Sequence, residues 1–107
     1  MISKASLQLH SIVRENRSPH EYLGAALAAC TSMTLKMYAG RKSMNLENAI
    51  VTVDIERKDD IETFSRDIEL IGNLNAEEKE RLFEIANKCP IHKALAGQIQ
   101  IKTQLVN

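Results

Sequence analysis

Apolar and polar positions alternate along residues 4–14. Ala5, Leu7, Leu9, Ser11 and Val13 fall on one side, and Ser6, Gln8, His10, Ile12 and Arg14 on the other. That two-residue period predicts a half-buried strand. A polar turn, ENRS, follows, and the pattern then changes. Ser18-Pro19-His20-Glu21 is a helix entry: serine caps, proline suits the first helical position, and Glu21 completes a capping box with Ser18. The helix is expected to run to about Tyr38, with Gly40 as its stop and Lys36, Arg41 and Lys42 complementing its dipole. Leu23, Leu27, Cys30, Thr34 and Met37 form its apolar stripe, widened by Ala26, Ala29 and Met33, although the stretch is apolar almost all round. Gly24, Ala25, Ala26, Ala28 and Ala29 would admit another backbone closely, which suits packing on several sides, a symmetry mate included.

Residues 46–58 alternate again, with Val51, Val53 and Ile55 facing one way and Thr52, Asp54 and Glu56 the other. Asp59-Asp60 is a turn, and residues 62–71 return with Phe64, Ile68 and Leu70 inward, so the two runs read as a hairpin. Arg66 shares the inward parity and must meet an edge, a site or a partner chain. Asn75 caps a second helix, AEEKERLFEIANK, whose apolar face is Leu82, Phe83, Ile85, Ala86 and Cys89. Pro90 breaks that helix and begins a short one ending near Gly97, and QIQIKTQLV is expected to be a last strand presenting Ile99, Ile101 and Leu105. The order β, long α, hairpin, α, short α, β is not a strict βαβ alternation. It predicts a single α+β domain over residues 1–107, with a mostly antiparallel sheet packed on the long helix.

Charge narrows the partners. Fourteen basic and fourteen acidic residues cancel, which argues against nucleic acid or an anionic membrane, both of which attract a basic excess. With 44% hydrophobic residues the chain has material for a core, and dimerisation can complete it if it is thin. Tyr22 to Leu35 is too short to cross a bilayer, which needs about 20 residues. No basic, apolar and cleavage-site sequence opens the chain, so a cytoplasmic location is expected.

Two cysteines are too few for a disulfide scaffold. Cys89 directly precedes a Pro-initiated helix, where free amides and the positive dipole end stabilise a thiolate, and Lys88, His92 and Lys93 stand nearby in sequence; it can equally be a small apolar residue closing a helix face. Cys30, mid-helix on the apolar stripe, reads by itself as core, and becomes reactive only if a cation reaches it; Arg14, Arg17 and Arg66 are the candidates. Glu21 lies roughly 13–14 Å along the helix axis from Cys30 and half a turn out of phase, so it could act only through a bridging arginine or across a dimer interface. His10, His20 and His92 are scattered without zinc-finger spacing, and no phosphate loop or nucleophile elbow is present. Two distant cysteines, one at a helix start, point to dithiol redox chemistry.

SPHEYLGAALAACTSMTLKMYAGRK followed by NKCPIHKAL resembles the OsmC/Ohr family of thiol peroxidases, its OsmC-like branch most of all, from about Ser18 to the end. The resemblance implies an intertwined homodimer with the sheet wrapped around central helices and sites at the subunit interface. It implies that Cys30 is the peroxidatic cysteine and Cys89 the resolving one. The Cys30 thiolate would attack an organic hydroperoxide, its sulfenic acid would condense with Cys89, and an external dithiol would reset the disulfide, without metal, flavin or other cofactor. This reverses the order the residues suggest alone. His20 stands where characterised members carry a glutamate, with the acid one residue on at Glu21, and the N-terminal strand region is short. Arg17 and Arg14 are therefore placed as activating candidates without a motif. A second reading follows from the same departures: an OsmC-like dimer with weak or no peroxidase activity that binds a small apolar ligand at the interface. A third is an interaction module with inert cysteines.

Overall fold

The computed structural model describes residues 18–107. The strand expected over residues 4–14, and with it His10, Arg14 and Arg17, lies outside the described residues. Five elements follow in order: α1 (Pro19–Arg41), β1 (Leu46–Lys58), β2 (Ile61–Gly72), α2 (Ala76–Ala86) and α3 (Pro90–Ala96).

Helix α1 opens on the expected capping box. The Glu21 amide donates to Ser18 Oγ at 3.2 Å, and the Ser18 amide donates to Glu21 Oε1 at 2.9 Å. Its end differs from expectation: Gly40 is helical and the cap is Lys42. The Met44 amide then donates to the Ala39 carbonyl at 2.9 Å, so the turn into β1 takes up a carbonyl of the last helical turn.

The buried face of α1 is also not the one the stripe suggested. Gly24, Leu27, Ala28, Thr31, Ser32, Leu35 and Ala39 are buried, whereas Leu23, Met33 and Met37 are exposed. A helix that is apolar nearly all round has no polar side to fix its rotation. Packing decided it, by seating the small and hydroxyl-bearing residues against the hairpin. Ser32 Oγ donates to the Ala49 carbonyl at 3.3 Å, and the Thr31 hydroxyl donates back to Leu27 O at 2.7 Å, so both buried hydroxyls are satisfied.

Strands β1 and β2 form an antiparallel hairpin, with Val51 opposite Ile68 and Val53 opposite Arg66. Asp59 and Asp60 turn it with φ of 54° and 64°, the left-handed pair that a tight hairpin turn requires. The inward parity of Phe64, Arg66, Ile68 and Leu70 is observed. Leu35, Ala39, Ala49, Leu82, Ile85 and Ala86 make one core, joining the C-terminal half of α1, the start of β1 and one face of α2. Phe83, expected on that face, is exposed, because the buried side of α2 is the Leu82–Ile85–Ala86 side.

The last expected strand does not form. Residues 98–107 carry no regular structure, and Ile101 and Leu105 are each 86% exposed. Their alternation fits a strand, but a strand needs an edge to pair with, and among the described residues this segment pairs with neither β1 nor β2. The architecture is α+β with an antiparallel sheet, as expected. No helix among the described residues is long and apolar enough to cross a membrane.

Candidate functional site

Both cysteines are free thiols. Cys30 sits in the middle of α1 and Cys89 is the N-cap of α3. Packing of α3 on α1 brings them together, so that the Cys89 side chain interacts directly with the Cys30 thiol.

The turn that carries Cys89 follows from its sequence. Asn87 caps α2, Cys89 takes an extended conformation with ψ of 130°, and Pro90 begins the next helix with no amide hydrogen of its own. The backbone of the next two residues then faces sulfur. His92 N–H donates to Cys89 Sγ at 3.4 Å, and the Ile91 backbone acts on the Cys30 thiol, favouring its charged form. One turn of backbone thus serves both thiols. Cys89 itself is fully buried, and Cys30 is half-buried at the surface of α1.

The electrostatics of Cys30 are unfavourable to a thiolate. Burial pushes its pKa up, and the adjacent Cys89 adds to that; the Ile91 backbone and the Thr34 hydroxyl oppose it without cancelling it. No cation among the described residues contributes. Arg66, one of the three sequence candidates, is engaged elsewhere. Its Nη1 donates to Thr31 Oγ1 at 3.0 Å and to Ala86 O at 3.4 Å, and its Nη2 donates to Asn87 Oδ1 at 2.9 Å.

An open groove of about 390 Å³ lies over Cys30, lined by Ala26, Ala29, Met33, Thr34, Met37 and Pro90 and almost wholly apolar. Most of its lining comes from the α1 stripe read from sequence, of which Leu27 alone is buried in the core. Glu21 is not part of it. With His20, Asp54 and Ile55, Glu21 borders a separate depression at the start of α1. His20 Nε2 faces Glu62 Oε1 of β2 at 3.2 Å, and Arg57 Nη1 reaches Glu62 Oε2 at 2.6 Å. The groove itself was missed by sequence reasoning, although Met33 and Met37 at helical spacing from Cys30 were its signal. Among the described residues, no three His, Cys, Asp or Glu side chains gather where they could hold a metal ion.

Sequence comparison matches residues 14–104 to the family model described as OsmC-like protein. Several solved structures are similar, among them two hydroperoxide resistance proteins. One is an OsmC-like hydroperoxide resistance protein from Jannaschia sp. CCS1, with 20% identity and a TM-score of 0.64, covering 86% of this chain and 68% of that one. The other is an organic hydroperoxide resistance protein, OsmC, from Legionella pneumophila, with 22% identity and a TM-score of 0.62, covering 79% of this chain and 66% of that one. At these identities the likeness is one of fold. No curated protein matches the sequence.

Proposed function

The chain belongs to the OsmC-like protein family, and from that premise we propose that it is a thiol peroxidase acting on organic hydroperoxides, with Cys30 as the attacking sulfur and Cys89 as the resolving one. The observation that carries this reading is the pairing of two reduced thiols, one of them opening onto an apolar groove. An alkyl hydroperoxide would lie in the groove with its apolar body on Met33 and Met37. The Cys30 thiolate attacks the terminal oxygen, an S–O bond forms, the O–O bond breaks, and the alkoxide leaves as the alcohol after taking a proton. The Cys30 sulfenic acid then reacts with the Cys89 thiol, forming the S–S bond and releasing water. An external dithiol reduces the disulfide by exchange and is itself oxidised.

The scheme needs a cation beside Cys30, because burial alone keeps that thiol protonated. Arg17 and Arg14 are the proposed sources, from this chain or from a second copy, with Glu21 orienting the arginine. A homodimer is part of the proposal: Leu23, Met33 and Met37 form an exposed apolar face on α1, and a second copy packed there would close the groove and remove water from it. A cytoplasmic location fits the need for reduced thiols and a dithiol reductant.

The raised pKa of Cys30 favours one second reading, a dimer of low peroxidase activity that holds a small apolar ligand in the same groove. Cumene hydroperoxide distinguishes the two. Loss of both free thiols, with turnover in the presence of a dithiol that disappears in Cys30→Ser, supports the peroxidase. Survival of both thiols, or undiminished turnover in Cys30→Ser, rules it out.

A further inference from the structure

Arg66 is the one basic residue on the inward row of β2, between Phe64 and Ile68. An isoleucine there would continue the row, and placing a guanidinium among apolar neighbours carries a desolvation cost. None of its hydrogen-bond partners is a carboxylate. They are the Thr31 hydroxyl, the Ala86 carbonyl in the last turn of α2, and the Asn87 side chain. Thr31 is fully buried and gives its own hydrogen to Leu27 O, which leaves its oxygen free to accept from Arg66. Ala86 O belongs to the helix end whose carbonyls lack intrahelical partners, and a cation there is favourable. The three contacts share a second property. Thr31 directly follows Cys30, and Ala86 and Asn87 stand three and two residues before Cys89. One side chain from the hairpin thus binds both segments that carry the sulfurs.

We propose that Arg66 is a positioning residue of the dithiol, clamping α1 to the α2–α3 junction in the register that keeps Cys30 and Cys89 within reach. The inference rests on the reading that these two thiols form a disulfide. It needs no contact between Arg66 and either sulfur.

The test is the glutathione equilibrium of the full chain, in which oxidised glutathione takes two electrons and two protons from the thiol pair and yields the Cys30–Cys89 disulfide and two glutathione thiols. The equilibrium constant measures how closely the native fold holds the sulfurs. A residue that only stabilises the fold affects reduced and oxidised protein alike and leaves the constant unchanged. Arg66→Met is expected to lower it at least tenfold, and Arg66→Lys, which keeps a cation but not the fork, to recover part of the loss. Thr31→Val removes one acceptor at nearly constant volume and is expected to lower the constant by threefold or more. It decides the matter if Arg66→Met does not fold. A constant within twofold of wild type in a folded Arg66→Met, or in Thr31→Val if that is the one that folds, overturns the role of Arg66. A wild-type chain that forms the disulfide but consumes no hydroperoxide overturns the peroxidase reading and leaves the clamp standing.

Discussion

The Cys89 side chain lies against the Cys30 thiol although the two are carried by different helices, and both are reduced. Cys89 is the N-cap of α3, accepting the His92 amide through sulfur. Serine is among the best N-caps, so Cys89→Ser preserves that turn, and burying a hydroxyl in place of the thiol is expected to cost about 1–3 kcal/mol. It leaves a sulfenic acid on Cys30 with no resolving thiol. Dimedone should then label Cys30 after one equivalent of hydroperoxide, and dithiol-dependent turnover should fall at least tenfold. Absence of label, with turnover retained, would mean that the sulfurs do not act as a pair.

Burial and the neighbouring thiol hold the Cys30 pKa above the ordinary thiol value. A raised folded pKa means the folded chain keeps its proton longer than the unfolded one. The associated stabilisation is complete below the ordinary thiol pKa of about 8.5 and is lost as pH rises through the folded value. Alkylation by iodoacetamide, mapped to Cys30 by peptide mass and run at dilution where single chains dominate, should rise with a midpoint above that of free cysteine. Where the second copy is the source of the arginine, the same titration at concentrations that favour association should move to lower pH. A midpoint below free cysteine at dilution contradicts the electrostatics described above.

Much of the fold was legible because the local signals agreed. The Ser18–Glu21 capping box, Asn75, the Asp59-Asp60 turn and the parity of Arg66 each appear where spacing put them. The rotation of α1 was not legible, since Leu23 and Leu27 are equally apolar and only the hairpin distinguishes them. Residues 98–107 alternate like a strand but have no edge within the described residues, and periodicity carries no information about the neighbour it needs. Of the site, the cysteine pair was foreseen by resemblance and the α3 amides by the Cys-Pro step. The partners of Arg66 come from α1 and α2, contacts at long sequence separation that no local pattern encodes.

Gly72 closes β2 with φ of 147°, a conformation open to glycine and hostile to other residues. A methyl group there would also drive into the Asn45 carbonyl oxygen, which is backbone and cannot swing away. Gly72→Ala should cost about 3 kcal/mol or more, combining strain with a forced shift of the α1–β1 connection. Urea unfolding measures it. A loss under about 1 kcal/mol would show that the connection is soft.

Gly24 presents the opposite case. It is helical, and a Cβ there would meet Ile55 Cδ1 at 3.5 Å and Val53 Cγ1 at 3.6 Å, which is ordinary contact. Gly24→Ala should therefore add the helix propensity difference, about 0.8–1 kcal/mol, with a small gain in packing against β1. Thermal unfolding should shift upward. A downward shift would mean that the helix and strand are closer than these distances, and that this glycine is needed for their approach.

Glu62 joins the start of α1 to the hairpin through His20 and Arg57. The Arg57 guanidinium, and after it His20, holds the Glu62 carboxyl below the usual carboxylate range. A depressed folded pKa stabilises the fold fully above the ordinary carboxylate value, and that contribution disappears as pH falls through the folded value. Melting temperatures of wild type and Glu62→Gln should thus differ most near neutrality and converge in acid. Because Arg57 is largely solvent-exposed, molar salt should shrink the difference at neutral pH. A gap that is the same at every pH would locate the effect of the substitution in packing beside Phe64, and not in the charge that ties His20 to β2.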